Sequence, residues 1–189
     1  MSRIPYPDPK TLPPAVQALL DARPPRNVFR MLAHAPALMP GLMELTGAIL
    51  YRSKLEPVLR ELVILRVGHL TGSSYEVQQH NKIAAAVGLS ADKISGTARG
   101  ADPKLYQGRE LLVLRFTEQV VRNTKAEGPL FAQAARELGH ELLMELLVII
   151  GLYVMLAQVL ENCEVELEEG GGPSQQDVAK IFGDQKGKP

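Results

Sequence analysis

Residues 60–88, RELVILRVGHLTGSSYEVQQHNKIAAAVG, form two amphipathic segments that meet at a short polar break. Apolar side chains recur at helical spacing on both sides of the break, and glycines such as Gly72 and Gly88 commonly end helices. Side chains that can carry protons or donate hydrogen bonds crowd around the break: Glu61, His69, Ser73, Tyr75, Glu76 and His80. The stretch therefore predicts a helix–turn–helix unit with a candidate functional site at its turn.

Helical periodicity continues along the rest of the chain, and no segment has the convincing alternation of a strand. Asn27 and Ser90 suit N-caps, and Ser73 with Glu76 has the spacing of a capping box. Prolines are placed where the first turns of several helices would begin. The predicted helices span about residues 14–22, 28–33, 36–51, 57–71, 74–87, 91–99, 108–126, 129–139, 140–165 and 175–182.

These elements predict an all-α, single-domain helical bundle. We expect an N-terminal extension with a short helix at residues 1–26, a helical domain at residues 27–170 and a flexible tail at residues 171–189. A chain of 189 residues is long enough to bury one such core.

The composition narrows the possible partners. Lysine plus arginine and aspartate plus glutamate each number 21, so no net field attracts nucleic acid or anionic lipid. Near-zero net charge is also compatible with self-association. Cys163 is the single cysteine, which excludes an intrachain disulfide, and the N-terminus lacks the apolar core of a signal peptide. We therefore expect a cytoplasmic protein that binds neither nucleic acid nor a membrane.

Residues 142–160 are apolar enough to require comparison with a membrane span. Glu145 lies within this stretch, and a carboxylate in lipid carries a large free-energy penalty. The stretch therefore favours a central helix buried in a bundle.

The polar residues at the break also follow a recognisable pattern, Glu61–x11–Ser73–x2–Glu76–x3–His80. This spacing resembles that of the carboxymuconolactone decarboxylase and alkyl hydroperoxidase D superfamily. RELVILRVGHLTG, YEVQQH and IAAAVGLSADKI resemble its helix–turn–helix core, and LLVIIGLYVMLAQVLENCEVELEEG resembles its later long helix. The resemblance covers about residues 27–170 and is greatest to cysteine-free members with a serine–x–tyrosine–glutamate turn. It implies a bundle of the alkyl hydroperoxidase D-like type.

The chain departs from the peroxidase branch of that family at two positions. Where that branch has a pair of cysteines, this sequence has Ser73 and Glu76. Peroxide reduction there proceeds through a thiolate and a disulfide, and a serine hydroxyl cannot replace either. We therefore expect no family-type thiol peroxidase activity, although the family label suggests it.

The decarboxylase branch needs no cysteine pair and no cofactor, so the resemblance implies a cofactor-free lyase acting on a small unsaturated lactone acid. We assign catalytic roles to His80 as proton donor, Glu61 as its orienting carboxylate and Glu76. We assign substrate contacts to Ser73, Tyr75 and His69. We expect no metal and no cofactor. The family also implies a homo-oligomer, a trimer or a hexamer built as a trimer of dimers.

Simpler interpretations of the same residues remain open from sequence alone. Glu76 and His80 could be an ordinary pair one helical turn apart, and Glu61 a charge near a helix start. Four side chains could instead bind a metal, if packing brought them together: Glu61, His69, Glu76 and His80. Tyr153 could belong to the core or to a pocket wall. The protein as a whole could be a non-catalytic oligomeric binding protein.

Overall fold

The computed structural model describes residues 1–22, 24 and 26–168, and in these ranges the fold is all-α, as predicted. A 3-10 turn at Pro9–Thr11 precedes the first helix. The helices are α1 (Pro14–Asp21), α2 (Asn27–Leu32), α3 (Met39–Tyr51), α4 (Pro57–Thr71), α5 (Ser74–Ala86), α6 (Ala91–Gly96), α7 (Gly108–Asn123) and α8 (Gly128–Cys163). The predicted helix at 175–182 and tail at 171–189 lie outside the described residues.

Helix α4 is the centre of the bundle. It packs against α5, α7 and α8, and every residue from Leu59 to Gly68 is buried. A helix buried on all sides has no solvent face, which explains why its apolar residues are not confined to one stripe. Polar side chains on α4 are therefore enclosed by the fold, and each needs an internal partner.

The turn between α4 and α5 forms as the sequence predicts. Gly72 ends α4 in the left-handed conformation, with φ 74°, and α5 starts two residues later. Close approach of the two helices depends on Gly68, because a Cβ atom there would lie 3.0 Å from Cγ2 of Val77. A larger residue at this position would push α5 away from α4.

Two predicted helix starts are wrong. Asn27 is the first residue of α2, and Arg26 precedes it as the N-cap. The Asn27 side chain instead donates a hydrogen bond to the carbonyl oxygen of Glu166, in the segment that follows α8. Helix α3 begins at Met39, three residues after the predicted start at Pro36.

The two ends of the described chain bind each other. The Arg3 amide donates to the Cys163 carbonyl oxygen at 2.8 Å, and the Tyr6 hydroxyl donates to the Glu166 carboxylate at 2.7 Å. These bonds hold the segment that follows α8 against the rest of the bundle. The segment continues to Glu168, which reaches the candidate site described below.

Helix α8 is the longest element, and within the described residues it is the one helix that is apolar and long enough to cross a membrane. Of its most apolar 18-residue stretch, 44% is buried inside the protein. Core helices of soluble proteins meet the same criterion, so length and composition alone leave the predicted absence of a membrane partner untested.

Candidate functional site

A chain of three side chains joins α4 to α5. The Nδ1 atom of His80 lies 2.6 Å from Oε2 of Glu61, and Nε2 of His80 lies 3.5 Å from Oε2 of Glu76. Glu61 is fully buried, and the other two are nearly so. The predicted meeting of Glu61 and His80 therefore occurs, because the turn at Gly72 folds α5 back along α4.

Arg60 on α4 binds Glu61 and so extends this row of interacting side chains. Its Nε donates to Oε1 of Glu61 at 3.2 Å, so the two oxygens of this carboxylate take different partners. Its Nη1 donates to the carbonyl oxygen of Leu50 at 3.2 Å, near the end of α3. A buried carboxylate is costly unless it is paired. Arg60 and His80 both supply that pairing for Glu61.

The environment shifts the protonation of His80 and Glu76. Burial by itself would lower the pKa of His80, but the charges of Glu61 and Glu76 and the hydrogen bond to Glu61 together outweigh burial, and the net pKa is raised. Burial raises the pKa of Glu76 to about 7; His80 opposes the rise, and Glu61 and Glu168 add to it. Near neutral pH the pair can therefore hold a proton that either group can release.

His80 and Glu76 border a cavity of about 300 Å³. Tyr153 on α8 forms part of the wall and meets the His80 ring edge-on, with ring centroids 5.1 Å apart and an interplanar angle of 85°. Tyr153 therefore belongs both to the core and to a pocket wall. Most of the other lining residues are apolar: Val28, Phe29, Leu32, Leu42, Met43, Leu50, Ile83 and Leu156. A small organic ligand fits such a cavity.

A second polar group lies beside the first. Tyr75 and Gln79, both on α5, line the cavity, and both donate hydrogen bonds to the carboxylate of Glu168. The backbone amide of Asn27 donates to the same carboxylate at 2.7 Å. Tyr75 also accepts a hydrogen bond from the Val28 amide at 3.2 Å. The predicted site residue Tyr75 thus faces the cavity while its hydroxyl binds the C-terminal segment.

The predicted contacts of Ser73 and His69 with the cavity are not seen, since neither residue lines it. Ser73 is the N-cap residue of α5, but its side chain makes no capping bond, so the predicted capping box is wrong. Its hydroxyl is buried without a hydrogen-bond partner. His69 lies in the last turn of α4, where burial and the neighbouring Arg66 lower its pKa.

Residues that the motif did not contain complete the site. Arg60 adjoins the motif, and a basic residue next to Glu61 in the sequence could have indicated a partner for that carboxylate. Gln79 lies one residue before His80, and a polar residue at that position could have indicated a further site residue. Glu168 is 88 residues beyond His80 in the sequence, and only tertiary packing brings it to α5.

The metal interpretation finds no geometric support in the described ranges, where no three histidine, cysteine, aspartate or glutamate side chains are placed to hold an ion. The two ring nitrogens of His80 face two different carboxylates. A first-row transition metal would instead need these ligands to converge on one point.

Comparison with known proteins agrees with this architecture. Residues 36–119 match the model of the carboxymuconolactone decarboxylase family. This range of the chain includes α4, α5 and the turn between them. No curated protein matches the chain. A similar solved structure is the "alkylhydroperoxidase AhpD core: uncharacterized peroxidase-related protein from Ralstonia eutropha JMP134", with a TM-score of 0.73 and 19% identity over 94% of this chain and 95% of that chain. At this identity the likeness shows the fold.

The helical fold is that of the alkylhydroperoxidase AhpD core structure. The family match over residues 36–119 and the likeness in fold together support a relation to the carboxymuconolactone decarboxylase and alkylhydroperoxidase D-like superfamily. The resemblance inferred from the motif is thereby confirmed, as is the predicted fold class.

Proposed function

We propose that this protein is a cofactor-free carbon–carbon lyase that decarboxylates a small unsaturated lactone acid. The observation that carries the proposal is the chain from Glu61 through His80 to Glu76, which ends at an apolar cavity of about 300 Å³. A ligand-sized cavity beside a buried histidine whose pKa is raised is the arrangement that acid–base catalysis requires.

The reaction needs one proton and no external electron acceptor. As the carbon–carbon bond to the carboxylate breaks, carbon dioxide leaves and the electron pair moves into the conjugated carbonyl of the ring. The resulting dienolate then takes a proton on carbon. An apolar cavity favours this step, because the charge that is localised on the carboxylate becomes delocalised over the dienolate, which needs less solvation by water.

His80 is the proton donor in this proposal. Glu61 holds its Nδ1 atom, which orients the ring and stabilises the imidazolium. The Nε2 atom then delivers the proton, and Glu76 at 3.5 Å returns one to it after each turnover. Tyr153 lines the same cavity, and burial raises its pKa well above the ordinary value, so its phenol stays protonated and can donate to the developing enolate oxygen.

Replacing the proton donor tests the proposal. His80→Gln should lower kcat by about 10²- to 10⁴-fold, the usual contribution of a positioned general acid. The measurement is carbon dioxide release from a panel of unsaturated lactone acids. His140→Gln is the matched control, because His140 is exposed on α8 and should leave turnover unchanged. A lyase activity that survives His80→Gln at the wild-type rate would exclude the proposal.

The peroxidase alternative is addressed with the same preparation. Cys163 is a free thiol in the last turn of α8 and does not line the cavity. A hydroperoxide assay with a dithiol reductant should give the same background for wild type and Cys163→Ser. Cys163-dependent peroxide turnover would favour the alternative over the lyase.

We also propose that the protein is a homo-oligomer, and the support comes from α8. An apolar stripe at helical spacing runs along one side of α8, where three residues are exposed and the last is half-buried: Met144, Val148, Gly151 and Met155. Met144 is 61% exposed and Val148 is 39% exposed. A second copy of the chain would remove this stripe from water.

A further inference from the structure

The carboxylate of Glu168 is held on both of its oxygens. Oε1 accepts from the Tyr75 hydroxyl and from the Asn27 amide, the latter at 2.7 Å, and Oε2 accepts from Nε2 of Gln79. The donors come from the start of α2 and from two successive turns of α5. Three converging donors on one carboxylate form a fitted receptor for that group.

Two of the three donors belong to the cavity, and the third, the Asn27 amide, meets them at the Glu168 carboxylate. Tyr75 is 2% exposed and Gln79 is 8% exposed, and both line the cavity that His80 and Glu76 border. Glu168 itself is not a lining residue. It follows α8 in a segment without regular structure, whereas its donors stand on helices. The donors are therefore fixed parts of the bundle, and the carboxylate that fills them is carried by a non-helical segment.

We propose that Tyr75, Gln79 and the Asn27 amide form a carboxylate-binding subsite of the cavity, which Glu168 occupies until a ligand carboxylate displaces it. The inference deepens the proposed function, on which it rests for the acidic nature of the ligand. Exchange of one carboxylate for another leaves the local charge beside Glu76 unchanged. Buried donors also keep a partner in both states, so neither state leaves them unsatisfied.

The subsite has a defined role in the reaction. Hydrogen bonds that stabilise a carboxylate in the ground state oppose its loss as carbon dioxide. The subsite therefore binds a second carboxylate, which the reaction retains, so the ligand is a lactone with two carboxylates and the subsite orients it toward His80. Glu168 acts as an internal competitor, so ligand affinity is reduced by the fraction of molecules in which the subsite is already filled.

Removal of the competitor tests the inference by binding alone. Benzoate is a small carboxylate probe for the cavity, and benzamide is its uncharged match. Calorimetric titration should show that Glu168→Ala binds benzoate about tenfold or more tightly than wild type, since all molecules then present a free subsite. Benzamide affinity should change much less. The added substitution Gln79→Leu should abolish the gain, because it removes one of the donors.

Glu164→Ala is the matched control in the same segment, since Glu164 pairs with Arg3 at 2.7 Å and touches none of the donors. Should Glu168→Ala unfold, Glu168→Leu gives the same comparison, because it keeps most of the side-chain volume and removes both acceptor oxygens. Equal benzoate affinity in wild type and variant, or an equal gain for benzamide, would overturn the inference. Because no turnover is measured, a negative lyase assay leaves this result standing, and a positive lyase assay does not protect the inference.

Discussion

At the residue scale, the site depends on how one buried carboxylate divides its two oxygens. Glu61 binds Arg60 through Oε1 and His80 through Oε2. Removing either partner would leave one oxygen of this buried carboxylate without its hydrogen bond, which is costly in the centre of the bundle. The imidazole is therefore held in one orientation, and its other nitrogen is directed to Glu76 and the cavity.

Glu76 should make the stability of the fold depend on pH. Its pKa is raised from 4.5 to about 7 in the folded state, so the folded state holds its proton more tightly than the unfolded state. Stability from this group is complete below pH 4.5 and is lost as the pH rises through about 7. Glu76→Gln removes that loss. Relative to wild type, the variant should gain about 1–3 kcal/mol between pH 5 and pH 8.

Chemical denaturation at the two pH values measures this change. Glu44→Gln is the control, because Glu44 is an exposed acid on α3 that pairs with Arg52. A stability difference between Glu76→Gln and wild type that stays constant from pH 5 to pH 8 would contradict the assigned titration.

The residue-scale predictions succeeded where spacing along two adjacent helices was sufficient. Glu61, Glu76 and His80 meet because one glycine turn relates α4 and α5. Ser73 and His69 lie near the same turn, but helix rotation directs them away from the cavity lining. The catalytic roles of all these residues stay predictions until they are assayed.

At the element scale, α8 contains a break that the sequence places correctly. Gly139 has φ 77° and ψ 167°, a conformation open essentially to glycine alone, and it separates two helical parts. Its surroundings are open, with no atom within 4 Å of a Cβ added there. The cost of any other residue is therefore backbone strain and not a clash.

Gly139→Ala should destabilise the protein by about 1–3 kcal/mol for that reason. Gly41→Ala is the matched control, because Gly41 is an exposed glycine inside α3 with equally open surroundings. Alanine there should add about 0.5–1 kcal/mol of stability. Thermal denaturation of both variants gives the comparison, and a Gly139→Ala protein as stable as wild type would show that the break is not enforced by this glycine.

Some helix ends at glycines were predicted well, although α6 ends at Gly96 and not near residue 99 as predicted, and two helix starts were predicted less well. Gly72 ends α4 at the predicted position. Asn27 was expected as a cap, yet Glu166 and Glu168 recruit its side chain and amide. A capping preference is worth about 1 kcal/mol, so long-range hydrogen bonds can override it.

At the scale of the whole molecule, the apolar stripe on α8 is the surface that we propose a second copy covers. If a second copy covers it, Met144→Lys and Val148→Lys should each raise the dissociation constant of the oligomer by about tenfold or more, since an unpaired buried charge costs more than about 1.4 kcal/mol. Sedimentation velocity at a series of concentrations measures this change.

Ala98→Lys, in the exposed turn after α6, adds the same charge elsewhere and should leave association unchanged. A wild-type chain that stays monomeric at high micromolar concentration would exclude the proposed assembly. Copurification of the wild type with lipid would instead direct attention to the membrane alternative for α8.

Local patterns in the sequence were enough to predict the helices, apart from the starts of α2 and α3, and the glycine turn at residue 72, and they suggested the pairing of Glu61 with His80. These features depend on contacts within one helix or across one turn, where 3.6-residue periodicity and glycine conformations settle the geometry. Tertiary structure alone decided the cavity and the edge-on contact of the Tyr153 ring with His80. It also decided the hydrogen bonds from Tyr75 and Gln79 to Glu168. They join segments far apart in the chain, and only the packing of α2, α5 and α8 brings those segments together.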